Sequence, residues 1–327
     1  MKYAITHHTA YTYSSGVALC HNEARLLPRE TPWQQCGLSQ VIIQPRPALS
    51  AERTDFFGNR VLYFAVQDIH QRLEVSVATR VQVLDKRPFT PDSPSPAWEQ
   101  ARQQLHDDGN PEIIEARQFV LNSPFVASAA AFRDYASASF SPERPLLEAM
   151  ADLNRRINQE FTYDPHFTTV ATPLHEVLKE RRGVCQDFAH LAIACLRSLG
   201  LAARYVSGYL ETLPPPGQPR LVGADASHAW LAIYVPGAGW AEYDPTNNCM
   251  PGEQHITLAW GRDYADVAPL KGVMTGGGSH TLEVSVDVEP QEARATPPDA
   301  TAATAATAAT AAIAAIAATA ATAATPP

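Results

Sequence analysis

The stretch RRGVCQDFAHLAIACLRSLGLAARYVSGYL, residues 181–210, joins a cysteine, a long apolar run and a strand-like segment. From Cys185 onward the apolar residues recur with the spacing of a buried helix, and Gly200 is placed to end it. Residues 205–210 are rich in tyrosine, valine and leucine, which favours a strand. The stretch therefore predicts a buried helix that begins at Cys185 and leads into a sheet.

The two cysteines of this stretch have different surroundings. Cys185 and Cys195 are ten residues apart, or about 15 Å along a helix, which is too far for a disulfide. Cys195 falls on the apolar face, where a thiol is usually a small core side chain. Cys185 follows Gly183, which permits a sharp turn, and the free N–H groups of the helix start stabilise a thiolate. Cys185 is therefore the candidate nucleophile.

The regions on either side predict an α+β protein. Residues 1–90 alternate with period two and contain a hairpin signal at Gly58-Asn59, which predicts an all-β, sandwich-like domain. Residues 91–109 are predicted as a linker, and 110–290 as a core of helices packed on an antiparallel sheet. Residues 291–327 carry a Thr-Ala-Ala repeat that makes no fixed apolar face, so a disordered or loosely helical tail is expected.

Within the core, turn and cap residues set the expected element boundaries. Helices are predicted to open at Asn110, Ser141 and Thr172, each followed by a proline. Further on, two strands are predicted at 228–235 and 239–244.

Composition narrows the class of partner. The chain has 327 residues, a formal net charge of −9 and a pI of about 5.6, without a run of basic residues. This argues against nucleic-acid binding. No signal-peptide core or membrane-spanning run is evident, so no membrane partner is expected. The five cysteines lack a C-x-x-C pair, which favours reduced thiols and a cytoplasmic location.

A nucleophilic thiol needs a base and a group that orients the base. His228 follows Cys185 by 43 residues within Ser-His-Ala-Trp, and Asp244 comes 16 residues later within Tyr-Asp-Pro-Thr. Side chains alternate along a strand, so Asp244 must lie opposite an even-numbered residue to share a face with His228. A four-residue loop would place Asp244 opposite Leu231. A connection of three or five residues, or a bulge, is therefore predicted.

These segments resemble the transglutaminase-like superfamily, which is papain-like in architecture. The similar segments are Gly-Val-Cys185-Gln-Asp-Phe-Ala-His, Ser-His228-Ala-Trp and Tyr-Asp244-Pro-Thr, in that order. Residues 3–11 and 22–29 are also similar to the β-rich N-terminal region of a bacterial branch. The resemblance implies Cys185 as nucleophile, His228 as base and Asp244 as the orienting group.

The sequence is compatible with several reactions. A cysteine-dependent peptidase, amidase or acyltransferase acting on a peptide or amide substrate is favoured. A protein cross-linking enzyme and a catalytically silent binding module are the alternatives. Gln186, Tyr163 and Trp230 are candidate supporting residues. For Tyr163 a donor to the oxyanion and a packed aromatic side chain are the alternatives, and the packed aromatic is favoured. Trp230 either shields the bond between His228 and Asp244 or is a core residue. Asp187 and His190 are predicted to be structural, and no cofactor or metal is expected, because no ligand set has zinc spacing.

Overall fold

The computed structural model describes residues 1–84, 88–90, 92–169, 172–212 and 226–291. Residues 213–225 and nearly all of the predicted Ala/Thr tail lie outside these residues.

Strands and helices segregate along the chain as the α+β prediction requires. In chain order the strands are β1 (Lys2–Ala24), β2 (Gln34–Gln44), β3 (Leu49–Thr54), β4 (Arg60–Val66), β5 (His70–Val83), β6 (Thr162–Tyr163), β7 (Arg182–Gly183), β8 (Ala203–Leu210), β9 (Ala226–Val235), β10 (Gly239–Tyr243), β11 (His255–Gly261), β12 (Leu270–Gly276) and β13 (His280–Pro290). The helices are α1 (Trp98–Asp107), α2 (Pro111–Arg117), α3 (Ala130–Ser137), α4 (Leu146–Glu160), α5 (Leu174–Glu180), α6 (Cys185–Ser198) and α7 (Tyr264–Val267), with a 3-10 turn at Gln118–Val120.

The first sheet has seven strands and is organised around β1. Its order is β2-β5-β1-β4-β3, and the long β1 also pairs with β12 and β13 along its other edge. The last two strands therefore join the N-terminal sheet, although their residues fall inside the predicted core of 110–290. A sequence pattern gives the existence of such strands but not the strand with which they pair.

The second sheet carries the candidate catalytic residues. It is antiparallel in the order β10-β9-β8-β11, and α6 packs on its β8 and β9 strands. All residues of α6 except Ser198 are buried, because α3, α4 and α5 cover its other side. A helix that is apolar around its whole circumference is typical of such a central position.

Two boundary predictions are wrong. The predicted linker 91–109 contains α1, whose Ala101 and Leu105 are buried in the core. The helix expected to open at Ser141 begins at Leu146, because Glu143 has a left-handed backbone (φ 62°) that a helix cannot continue through. In contrast, Asn110 caps α2 as predicted, with its side chain accepting the Glu112 N–H.

The register of β9 and β10 meets the parity requirement. Gly239 pairs with Val235 and Tyr243 pairs with Leu231, so the connection has three residues, 236–238. Continuing this register places Asp244 opposite Trp230, on the same face as His228. The three-residue connection is one of the two predicted lengths.

Two amide side chains of the first sheet complete the edge of the second. Gln34 forms hydrogen bonds of 2.8 Å with both the N–H and the C=O of Thr257. Asn59 does the same with Trp260, at 2.9 and 2.8 Å. These side chains satisfy backbone groups of the edge strand β11, as a neighbouring strand would.

Gly208 on β8 is enclosed by its neighbours. It pairs with His228, and a Cβ placed on it would overlap the Trp230 ring and the Ile256 carbonyl oxygen. The Trp230 ring is fully buried against this glycine. A side chain at position 208 would therefore displace the ring that lies beside His228.

We expect Gly208→Ala to lower the free energy of unfolding by about 1–3 kcal/mol, since the methyl group forces Trp230 or β11 to move. Gly109→Ala is the control, because a Cβ there meets nothing within 4 Å, and its effect should stay within about 0.5 kcal/mol. Urea unfolding curves measure both. Equal stability of the two variants would contradict this packing.

Candidate active site

Cys185 is the first residue of α6 and is 5% exposed. The preceding Val184 has an extended backbone (φ −116°), which ends the loop and starts the helix. The first N–H groups of a helix have no partner within it, and they favour negative charge at this end. The structure therefore places the thiol where the sequence predicted it.

Asp187 builds the turn that presents Cys185. Its Oδ2 accepts hydrogen bonds from the Val184 N–H at 2.8 Å and from the Thr168 hydroxyl at 2.6 Å. A Cβ at Gly183 would lie 2.8 Å from the same oxygen, so only glycine leaves room for this fold-back. Burial raises the pKa of Asp187 to about 6, against the effect of these two bonds. The structural role predicted for Asp187 agrees with these contacts.

His228 and Asp244 form a buried pair. His228 Nε2 lies 2.8 Å from Asp244 Oδ2, and the side chains are 6% and 0% exposed. This contact leaves Nδ1 as the ring nitrogen available to the thiol. The Cys185 side chain lies close enough to His228 to contribute to the raised pKa of the imidazole. The structure thus brings together the three residues predicted as a triad.

The charges in this pair reinforce each other. Burial lowers the pKa of His228, but the Asp244 carboxylate, helped by Cys185, outweighs burial and raises that pKa to about 10. Burial likewise raises the pKa of Asp244, while the charge of His228 and the hydrogen bonds of His228 and His255 hold it well below its usual range. An ionised Asp244 beside a protonated His228 is therefore the favoured state at neutral pH.

Further donors hold the carboxylate in place. Asp244 Oδ1 accepts from the backbone N–H groups of Thr246 and Asn247, at 2.9 and 3.2 Å. Its Oδ2 accepts from the Asn247 side chain at 2.6 Å and contacts His255 Nε2 at 3.1 Å. Sequence reasoning missed Asn247 and His255. The available signal was a histidine opening the apolar run HITLAW at 255–260, a strand that was not predicted.

Helix α4 supports the turn that follows Asp244. Asn158 donates its amide to the Thr246 carbonyl at 2.8 Å, and the Asn154 amide lies 3.4 Å from Asn248 Oδ1. The apolar side of α4 is buried in the core. The polar residues at its C-terminal half therefore tie the turn to a rigid element.

The predicted supporting residues occupy different places. Trp230 is fully buried, with its ring 6.1 Å from His228 and 5.3 Å from His255. Tyr163 packs on Phe188, and burial, then the charge of Cys185, raises its pKa above the ordinary value. Gln186 follows Cys185 in the first turn of α6 and is 6% exposed.

Tyr205 is a further residue near Cys185, and sequence reasoning did not single it out. Its ring is buried, and its pKa is raised well above the ordinary value by burial and then by the charge of Cys185. The other thiol of α6, Cys195, is completely buried and its pKa is raised by burial. All five cysteines are free, which agrees with the prediction that Cys185 and Cys195 form no disulfide. His190 accepts the Tyr264 N–H and stacks on Phe125, a structural position.

His228, Asp244 and His255 form a cluster of the residue types that bind metal ions. One ligand atom from each lies within 4.8 Å of the others. A metal would require an unprotonated His255 Nε2. However, His255 Nδ1 accepts the Gly252 N–H at 3.3 Å, so in the neutral ring the proton is on Nε2. The cluster is therefore better suited to hydrogen bonding than to metal ligation, and the expected absence of a metal stays a prediction.

Within the described ranges, no helix combines the length and apolar character needed to cross a membrane. The cytoplasmic location stays a prediction.

Comparisons with known proteins cover both halves of the chain. Residues 3–82 match the model of the bacterial transglutaminase-like N-terminal region, and residues 133–245 match that of the transglutaminase-like superfamily. An uncharacterised protein of Mycobacterium tuberculosis is 42% identical over 303 residues, which cover 90% of this chain and 94% of that protein. An uncharacterised protein of Mycobacterium leprae is 33% identical over 288 residues, which cover 87% and 97%.

A solved structure supports the same fold. It is a Cytophaga hutchinsonii protein provisionally assigned as a cysteine protease, with a TM-score of 0.69 and 22% identity, covering 91% of this chain and 93% of that one. Two family models, full-length relatives and a shared fold agree with one another, and the chain belongs to the transglutaminase-like superfamily.

Proposed function

We propose that the protein is a cysteine-dependent hydrolase or acyltransferase of amide bonds, with Cys185, His228 and Asp244 as its triad. The observation that carries this proposal is the buried His228–Asp244 pair, which acts on a cysteine at the start of a buried helix. Nucleophile, base and orienting group are the three parts that thiol catalysis needs.

The first half-reaction forms a thioester. The Cys185 proton resides on His228 Nδ1 in a thiolate–imidazolium pair, and the thiolate attacks the carbonyl carbon of the amide. Collapse of the tetrahedral intermediate breaks the C–N bond, and His228 returns the proton to the leaving amine. Asp244 keeps the ring oriented and stabilises its charge, without taking the proton itself.

The oxyanion needs donors that point at the carbonyl oxygen. The N–H of Cys185 is one candidate, because the first turn of α6 leaves its N–H groups without intrahelical partners. The Tyr163 hydroxyl is a second, since the charge of Cys185 is, after burial, a cause of its raised pKa. Asp187 occupies the Val184 N–H, so that group is not available.

The second half-reaction decides the class of enzyme. Water attacking the thioester, with His228 as base, releases an acid, whereas an amine would produce a new amide. We favour water, and thus a peptidase or amidase, because cross-linking requires a site that excludes water in favour of an amine. The protein cross-linking reaction is the alternative, and a silent binding module would not need the ionised Asp244 beside His228.

Replacing the nucleophile tests the proposal. With p-nitrophenyl acetate as an acyl donor, we expect a burst of nitrophenol and an acetyl group on Cys185 in the natural protein. Cys185→Ala should lower the rate about 10³-fold or more, because the triad acts as a unit. Stopped-flow absorbance and peptide mass mapping measure both.

Cys195→Ala is the matched control, since it removes a thiol from the same helix at a fully buried position. It should keep the burst, with some loss of stability from the small cavity. Equal bursts in the natural protein and Cys185→Ala would refute the assignment of the nucleophile.

The charge of Asp244 sets the protonation of His228. In the natural protein His228 should stay protonated at pH 8, since its pKa is raised to about 10. In Asp244→Asn the pKa should fall, because burial persists without the compensating charge, and the ring should be neutral at pH 8. Nitrogen-15 NMR of labelled histidine measures this, with His228→Gln identifying the signal.

The raised pKa of His228 also makes the stability of the protein depend on pH. The folded-state pKa of His228 lies above the ordinary 6.5, so its stabilising contribution is complete below about pH 6.5 and is lost as the pH rises through about 10. The stability difference between the natural protein and Asp244→Asn should therefore shrink over that range. A difference that grows with pH would contradict the assigned charge pair.

A further inference from the structure

His255 is not a member of the predicted triad, but it contacts the pair formed by His228 and Asp244. It opens β11, and its Nε2 lies 3.1 Å from Asp244 Oδ2, the same oxygen that contacts His228. Its side chain is 6% exposed. The two histidine rings lie on the same carboxylate, with centroids 6.1 Å apart.

The direction of this hydrogen bond is fixed by the backbone. Gly252 donates its N–H to His255 Nδ1 at 3.3 Å, so Nδ1 must carry a lone pair. In the neutral ring the proton is then on Nε2, and His255 donates to Asp244. His255 is therefore a built-in donor rather than a second base competing for the proton of Cys185.

His255 and its strand are held by residues of both sheets. The Trp230 ring meets it in a T-shaped contact, at 5.3 Å and 84°. Two residues further along β11, Thr257 is bound through its N–H and C=O by Gln34 of the first sheet. These contacts limit rotation of His255 and displacement of its strand.

We propose that His255 is a positioning residue that fixes the Asp244 carboxylate for His228. The inference rests on the proposed function, in which Asp244 orients His228. Asp244 Oδ2 receives His228, Asn247 and His255 together. With His255 in place, rotation of the carboxylate breaks a bond to a rigid strand, so the His228 ring keeps its Nδ1 side toward Cys185.

Two substitutions separate the hydrogen bond from Gly252 to His255 and the hydrogen bond from His255 to Asp244. In His255→Gln, the side-chain amide can reach the position of Nε2 and donate to Asp244, while the bond from Gly252 is lost. In His255→Asn, the shorter side chain can accept the Gly252 N–H but does not reach Asp244. Both variants are neutral and polar, so they differ mainly in which bond they keep.

The rate of Cys185 acylation by p-nitrophenyl acetate and the low-field NMR signal of the His228 Nε2 proton are the two measurements. We expect acylation about tenfold slower in His255→Asn and within about twofold of the natural rate in His255→Gln, since small misplacements of catalytic groups are costly. The His228 proton should shift in the Asn variant and stay in place in the Gln variant.

Three results would overturn the inference. One is a natural rate and an unshifted proton in His255→Asn. Another is an equal loss of rate in both variants with an unshifted proton, which indicates a structural role. The third, which stands even if the Asn variant fails to fold, is a natural protein whose His255 carries its proton on Nδ1.

If the proposed function is wrong, the acylation rate and the NMR signal give a different pattern. In that case the natural protein itself shows no acylation at Cys185, and the His228 proton signal in the two variants alone decides the role of His255.

Discussion

The Asp244 carboxylate is completely buried, and the surrounding structure is arranged to keep it hydrogen-bonded. A buried carboxylate without partners would be costly to ionise. Here two backbone N–H groups, the Asn247 amide and the rings of His228 and His255 surround it. The charge so maintained is what raises the pKa of His228, and through His228 it reaches the thiol at the start of α6.

The N-terminal sheet takes part in this arrangement. Its Gln34 and Asn59 side chains satisfy the open edge of β11, the strand that begins with His255. Arg29 also lies over the Trp260 ring of this strand, 3.2 Å from its centroid. The segment 22–29, singled out in the sequence by resemblance alone, therefore ends in a residue at the contact between the two sheets.

Local patterns in the sequence were enough to predict α6 and the strands β9 and β10, and together with the family resemblance they identified Cys185, His228 and Asp244 as a candidate triad. They limited the length of the β9–β10 connection but could not choose between three and five residues, since both give the same side-chain parity. The apolar run at 255–260 indicates a strand but could not place His255 at the site, because β11 meets β8 and Gln34 only through long-range pairing. For the same reason β12 and β13 could be recognised as segments but not assigned to the first sheet.

Competitive alkylation of the five cysteines with iodoacetamide at pH 6 tests most directly whether His228 activates Cys185. Exposure alone would favour Cys36 and Cys249, which are half-buried, over Cys185 at 5%. Burial raises the pKa of Cys36 to about 11 and that of Cys249 to about 12. The account predicts that Cys185 is modified first and that His228→Gln removes this preference. Equal, slow modification of all five thiols would contradict it.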